Sequence, residues 1–198
     1  MSSKNRLIVA LVLSHILLFL SFFLLNDIFW PLFTVSLLLL GSFSFRHVKW
    51  REISFAQLII GIGSGGLLYL IFYVGKVMML YIFPQSITQV EALYQLVAPN
   101  QTWHYYSLIL IIIPGEELFW RGFVQTQLRT IHIKYPILLA ALLYMSAHIY
   151  AGAFLLLIAA VLAGIVWGYL YKRTENMIVP LLSHLVFDLF LLVFFPLL

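Results

Sequence analysis

Residues 111–121 read Ile-Ile-Ile-Pro-Gly-Glu-Glu-Leu-Phe-Trp-Arg, which places two glutamates and an arginine inside an otherwise apolar run. Two later apolar runs carry His148, and His184 with Asp188. An ionisable group at membrane depth is costly unless it is paired or lines a polar cavity, so such groups mark functional sites by default. The chain has only 7 Asp and Glu residues, yet three of them lie in these runs. The pattern predicts chemistry inside a membrane.

The composition predicts an all-α, polytopic membrane helix bundle. Of 198 residues, 64% are hydrophobic and only 9% are charged, whereas soluble domains carry about 25% charged residues. The chain has no cysteine, which excludes disulfides, thiol nucleophiles and Cys-ligated metal sites. The net charge of +4 comes from short basic clusters between apolar runs. Such clusters are typical of cytoplasmic loops, so we expect a multi-pass protein of the cell membrane and no nucleic-acid partner.

Stretches of about 20 mostly apolar residues predict seven spans. They are Leu7–Leu25, Ile28–Phe45, Phe55–Phe83, His104–Leu128, Pro136–Tyr150, Phe154–Tyr171 and Met177–Leu197. Lys76 lies within the third span and Arg121 within the fourth. The other basic residues occur only in alternate loops, at Lys4, Arg6, Arg46, Lys49, Arg51, Arg129, Lys134, Lys172 and Arg173. By the positive-inside rule, the N-terminus is cytoplasmic.

The polar stretch Pro84–Trp103 predicts a short amphipathic helix on the outer interface. The basic linker after the second span suggests two regions. We expect residues 1–53 to form a two-span hairpin with a cytoplasmic linker, and residues 54–198 to form the core that carries the chemistry.

Helical spacing separates the roles of the two glutamates. Glu117 and Arg121 are four residues apart and share one helix face in the favourable acid-before-base order. Glu116 points about 100° away, so it is free to face a cavity. His184 and Asp188 are also four apart and share a face. With about 1.5 Å of rise per residue, Glu116, His148, His184 and Asp188 fall in one layer, near the midplane or in the cytoplasmic half.

Three motifs follow one another on separate spans. They are Glu-Glu-x-x-x-Arg (Glu116, Glu117, Arg121), aromatic-x-x-x-His (Tyr144, His148) and His-x-x-x-Asn/Asp (His184, Asp188). Together they resemble the CAAX protease and bacteriocin-processing (CPBP, or Abi) family of intramembrane endopeptidases, over roughly residues 54–198. Tyr144 stands where the family usually has Phe, and Asp188 stands where many members have Asn.

The resemblance implies a role for each matching residue. The positions of Glu116 and His148 activate a water, those of His184 and Asp188 bind the oxyanion, and the pair at Glu117 and Arg121 is mainly structural. The implied substrate is a membrane-associated peptide or protein that enters from the bilayer or the cytoplasmic face. A carboxylate withdrawn from water suits general-base chemistry, because burial disfavours its charged form. Neither the substrate's identity nor the oligomeric state follows from the sequence.

Other interpretations remain open. Glu116, His148 and His184 could hold Zn²⁺ with a water in the fourth position, although no His-Glu-x-x-His motif is present. The alternative to catalysis is a non-catalytic membrane scaffold or a bacteriocin self-immunity protein. Residues 61–66, Gly-Ile-Gly-Ser-Gly-Gly, formally match a dinucleotide-binding motif but lie inside an apolar span. Close helix packing by small residues explains them better than a Ser64 nucleophile.

Overall fold

The computed structural model describes residues 3–44, 48–82 and 84–197, and within these ranges every regular element is helical. The elements are α1 (Ser3–Phe19, continued by a π-helical turn, Leu20–Leu24), α2 (Phe29–Ser42), α3 (Phe55–Ile82), α4 (Ser86–Val97), α5 (Thr102–Ser107), α6 (Ile113–Glu117), α7 (Thr126–Thr130), α8 (Pro136–Ala147), α9 (Phe154–Thr174) and α10 (Ile178–Leu189). The predicted span ends Phe45 and Phe83, the basic residue Arg46 and the last core residue Leu198 lie outside the described residues.

Within the part of the chain that the structure describes, three helical segments are long and apolar enough to cross a membrane, namely Ser3–Leu24, Phe55–Met79 and Phe154–Thr174. Three shorter apolar segments accompany them, namely Asn26–Ser42, Pro136–Ala151 and Ile178–Phe194. The predicted class, an all-helical membrane protein, is confirmed. The number of spans and the orientation of the N-terminus stay predictions.

The distribution of side chains is that of a membrane protein. Large apolar side chains such as Ile59, Leu67 and Leu70 on α3 are about half exposed, which suits a lipid environment. Polar and charged side chains, including Glu117 and Arg121, are instead buried within the bundle. This arrangement follows because a bilayer core offers no water to solvate polar groups, so they must find partners inside the protein.

Helices α3 and α10 run parallel and approach closely through glycines. A Cβ added at Gly61 would lie 3.2 Å from the carbonyl oxygen of Val179, and one added at Gly65 would collide with the carbonyl oxygen of Ser183. The Ser64 hydroxyl donates to the Ser183 hydroxyl at 3.0 Å. The predicted close packing by small residues is therefore confirmed. It fixes the helix that carries His184 against α3.

Helices α5, α6 and α7 form one continuous helical segment that is interrupted twice by π-helical stretches, Leu108–Ile112 and Leu118–Gln125. The two stretches flank the Glu-Glu motif, and π-helical irregularities occur frequently at functional sites. Gly115 lets α2 approach this segment, because a Cβ at Gly115 would lie 2.8 Å from the carbonyl oxygen of Leu37. The segment that carries the glutamates is thus held at the centre of the bundle.

Helix α4 is the predicted amphipathic helix, and Tyr94 fastens it to the segment that follows α10. The Tyr94 hydroxyl donates to the Leu191 carbonyl at 2.7 Å and accepts from the Leu197 N–H at 2.9 Å. Burial raises the pKa of Tyr94 to about 12, so the hydroxyl keeps the proton that it donates at any physiological pH. The Gln89 side chain adds a contact to α9, since its Oε1 accepts from the Phe154 N–H at 3.2 Å.

Candidate active site

The carboxylate of Glu116 is the centre of a buried polar cluster. Its Oε1 lies 3.5 Å from Nε2 of His148, and its Oε2 lies 3.7 Å from Nε2 of His184. The Tyr144 hydroxyl donates to Oε2 at 2.9 Å. All four side chains are buried. Three helical segments that are distant in sequence thus bring one carboxylate, two imidazoles and a phenol together.

His148 is oriented by the end of its own helix. Helix α8 ends at Ala147, and Nδ1 of His148 lies 2.9 Å from the Tyr144 carbonyl oxygen. A carbonyl oxygen can only accept, so Nδ1 carries the hydrogen. This bond uses a carbonyl that has no partner in the last helical turn. It leaves Nε2 facing Glu116.

His184 is held on three sides. Its Nδ1 lies 2.9 Å from Oε1 of Glu117, and its Nε2 lies 3.4 Å from Oδ2 of Asp188. The Trp167 ring stacks on the imidazole with centroids 3.8 Å apart and planes 19° apart. The Trp167 N–H donates in turn to the Ser183 hydroxyl at 3.2 Å. These contacts fix the plane of the imidazole and direct Nε2 toward Glu116.

Glu117 and Arg121 form the predicted i, i+4 pair, with Nη1 and Oε1 3.2 Å apart and both side chains almost completely buried. The guanidinium also lies over the rings of Tyr144 and Trp167, 4.9 and 5.0 Å from their centroids. Two aromatic faces and one carboxylate therefore compensate the buried positive charge. Glu117 Oε1 also accepts from His184 Nδ1. Glu117 therefore connects the ion pair to the cluster around Glu116.

A cavity of about 500 Å³ reaches this cluster. Glu116, Tyr144, His148, His184 and Asp188 line it, and almost all the rest of its wall is apolar. Glu117 and Arg121 lie behind that wall. The separation agrees with the sequence prediction that Glu116 faces a cavity while Glu117 faces its arginine. Such a pocket suits an apolar substrate with a polar reacting group.

The zinc alternative can be compared with the geometry of the described residues. Among them, no group of three or more His, Asp or Glu side chains is arranged to hold a metal ion. Nδ1 of His184 is used by Glu117, and its Nε2 lies between two carboxylates, 3.4 Å from Asp188 and 3.7 Å from Glu116. The described side chains therefore do not form a ready zinc site.

The structure brings together all four residues predicted to be catalytic and places the three predicted supporting residues directly around them. Two neighbours were not found from the sequence, Trp167 and Ser183. The available signal was weak: a tryptophan inside an apolar span has an indole N–H that needs a partner when buried. The hydroxyl of Tyr144, which Phe at this position would lack, contacts Glu116 directly.

Residues 98–190 match the Rce1-like family of type II CAAX prenyl endopeptidases. The match is consistent with the predicted resemblance to the CPBP (Abi) family. The Rce1-like region runs from the residue after α4 to the end of α10 and contains Glu116, Tyr144, His148, His184 and Asp188. At the level of the family, it supports an intramembrane endopeptidase. No curated protein and no solved structure matches the chain.

Proposed function

We propose that this protein is an endopeptidase of the cell membrane that hydrolyses a peptide bond of a membrane-associated peptide or protein. The observation that carries the proposal is the position of the Glu116 carboxylate, within 4 Å of two imidazoles and on the wall of an apolar cavity. The Rce1-like region supports the same reaction class.

In the proposed reaction, Glu116 accepts a proton from a water molecule, and the water oxygen attacks the carbonyl carbon of the scissile bond. The tetrahedral intermediate carries a negative oxygen, which accepts a hydrogen bond from the His184–Asp188 pair. The carbon–nitrogen bond then breaks, and the leaving amine takes a proton through His148. The hydroxyl group ends on the new carboxyl and the hydrogen on the new amine, so the atoms of one water are consumed.

Glu117, Arg121 and Trp167 act in this scheme as positioning residues. Glu117 holds the Nδ1 hydrogen of His184, and Trp167 holds the plane of the ring. Rigid orientation matters because a hydrogen-bond donor stabilises a developing charge only when it is already aimed at it. Removing one such donor costs a factor of about 100 to 1,000 in rate in a well-studied protease.

The first prediction tests Glu116. Glu116→Gln keeps the shape of the side chain but removes the base, so we expect loss of turnover by a factor of at least about 100, with normal folding. The measurement is a comparison of membrane peptides from cells that express the wild type or the variant. Peptides that disappear with Glu116→Gln are candidate products, and their cleavage is then repeated with purified protein.

Glu117→Gln is the matched control, because it changes the neighbouring glutamate of the same motif. It should lower thermal stability in detergent as well as activity, since it leaves Arg121 buried without its charge partner. Equal cleavage by the wild type and Glu116→Gln would contradict the proposed base. If no peptide depends on Glu116 at all, the interpretation as a non-catalytic scaffold or self-immunity protein gains support.

A further inference from the structure

The two ends of the bundle differ in charge. One end holds the start of α1, the linker before α3, the end of α7 and the end of α9, which carry Lys4, Arg6, Lys49, Arg51, Arg129, Lys172 and Arg173. Contacts join the linker to the residues that follow α9. Lys49 Nζ lies 3.0 Å and Arg51 Nη2 3.3 Å from Oε2 of Glu175, and the Lys49 carbonyl accepts from the Met177 N–H at 3.0 Å. The hydrogen bond from Lys49 lowers the pKa of Glu175. We call this the basic end.

The cavity lies at the opposite end. Its wall comes from the last turn of α1 (Phe22), the first turns of α2 (Phe29, Trp30), the second half of α3, the first half of α9 and the second half of α10. Helix α4 contributes Tyr94 and Val97 to the same wall. The contributing helices therefore offer mainly the halves that are farther from the basic end, although Lys76 on α3 also lines the cavity. Glu116 and His184 lie at the inner limit of the cavity.

On the basic side of Glu116 the bundle is filled. Phe119, Trp120 and Phe123 follow Glu116 along the chain toward Arg129, and each is at most 2% exposed. Phe119 packs against Trp120 and Phe123 with ring centroids 4.8 and 6.1 Å apart. We call these three residues the aromatic floor. The described structure thus gives the Glu116 layer a cavity toward α4 and closely packed rings toward the basic end.

Basic residues mark the cytoplasmic side of a membrane protein. We propose that the active site opens to the non-cytoplasmic side, and that its substrate is an apolar segment presented at the outer leaflet by a membrane-anchored peptide or protein. Calling the occupant a substrate rests on the proposed function. The direction of opening rests on the cavity and the charges alone. It differs from the cytoplasmic entry that the sequence led us to expect as one of two routes.

Cysteine labelling tests the direction of access, because the chain has no cysteine of its own. Three single-cysteine variants are needed. Gln95→Cys reports the exposed side of α4, Thr130→Cys reports the exposed end of α7, and Ala159→Cys reports the cavity wall. Cells with an intact cytoplasmic membrane are treated with a small charged methanethiosulfonate. Cysteines that remain free are then counted by a mass-tag shift after denaturation.

We expect Gln95→Cys and Ala159→Cys to react in intact cells, and Thr130→Cys to react only after the membrane is permeabilised. The difference should be at least about tenfold in rate, since a charged reagent does not cross a lipid bilayer readily. Ala159→Cys that reacts together with Thr130→Cys, or that reacts under neither condition, would overturn the proposal. So would Thr130→Cys that reacts from outside while Gln95→Cys is protected.

The labelling needs no turnover, which separates this proposal from the proposed function. A protein whose cavity cysteine reacts from outside but whose peptides do not depend on Glu116 supports the direction of access and contradicts the protease. A protein with Glu116-dependent cleavage and a cavity cysteine that reacts only from the basic side supports the protease and contradicts the direction of access.

Discussion

At the scale of single residues, Tyr144 is the clearest departure from what the motifs imply. The family usually has Phe at this position, yet the Tyr144 hydroxyl donates to Oε2 of Glu116 at 2.9 Å. The same ring lies against Arg121 and His148. Phe would keep these ring contacts and lose only the hydrogen bond. The hydroxyl therefore adds a third polar neighbour to the proposed base.

We predict that Tyr144→Phe folds normally but turns over about ten- to a hundredfold more slowly, because a hydrogen bond to a charged group contributes about 1.5–3 kcal/mol. Steady-state kinetics beside a thermal melt in detergent measures both effects. Trp120→Phe, a change of the buried ring that packs against Tyr144 with centroids 5.3 Å apart, controls for packing. Wild-type kinetics in Tyr144→Phe would show that the hydroxyl has no part in the reaction.

Asp188 poses a different question, because an ionised carboxylate repels a developing oxyanion. Its Oδ2 lies 3.4 Å from Nε2 of His184, so the two groups compete for one proton. If the acid holds the proton, it can donate a hydrogen bond, as neutral acids in apolar sites do. If the imidazole holds it, Asp188 only orients His184, and the histidine is the single donor of the pair.

We predict that Asp188→Asn retains activity and extends it to higher pH, because an amide donates without needing a titratable proton. Asp188→Ala should lose about 100-fold or more in rate, as expected for the loss of an oxyanion donor. The pH–rate profiles of the three proteins decide between the two roles. If Asn is as damaging as Ala at every pH, the carboxylate itself is required and the oxyanion role fails.

The residues of the site were predictable from sequence, whereas the contacts that orient them across different helices were not. Helical spacing is local, so it correctly separated Glu116 from the Glu117–Arg121 face. The contact between Glu117 and His184 joins positions 67 residues apart, and no local spacing encodes it. The stacking of Trp167 on His184 depends in the same way on how α9 and α10 pack, which side-chain patterns along one helix do not reveal.

At the scale of elements, the contact between α3 and α10 sets the position of His184. Gly65 faces the Ser183 backbone, and an added Cβ there would also lie 2.9 Å from the Val186 Cβ. At the neighbouring Gly66, an added Cβ would have no atom of another described element within 4 Å. Two adjacent glycines of one helix thus differ sharply in how closely a second helix approaches them, which provides a matched pair for experiment.

We predict that Gly65→Ala lowers the melting temperature in detergent and reduces activity, because α10 must move away and carry His184 with it. The cost of such overpacking is typically about 1–3 kcal/mol. Gly66→Ala should leave activity unchanged and stability unchanged or slightly higher, since alanine favours a helix over glycine. Equal effects of the two substitutions would show that helix propensity, and not the close contact, governs both positions.

The boundaries of the elements show which parts of the fold the hydropathy pattern could not provide. The apolar runs predicted the helices, and α8 begins at Pro136 as expected. The hydropathy pattern does not predict the π-helical stretches on either side of Glu116 and Glu117. They depend on the fit of the segment against α2, where Gly115 meets Leu37. A hydrophobic run indicates a helix in a lipid environment, but it does not indicate where the hydrogen bonding changes from α-helical to π-helical.

At the scale of the whole molecule, the proposed mechanism can be separated from a zinc-dependent one by stoichiometry. If Glu116 acts as a base without metal, purified protein should contain less than one zinc per chain and keep its activity in strong chelator. Elemental analysis and activity assays before and after chelation provide the measurement. One tightly bound zinc per chain, with activity lost on its removal and restored by adding it back, would establish the metal-dependent use of the same residues.

The aromatic floor has a consequence for the cell as well as for the reaction. A hydrolase that admits water partway across a bilayer creates half of a channel, and any continuation of that path would let ions and protons leak. Phe119, Trp120 and Phe123 close the continuation with tightly packed rings. Under the proposed function and direction of access, water can therefore reach Glu116 while the aromatic floor separates it from the basic end.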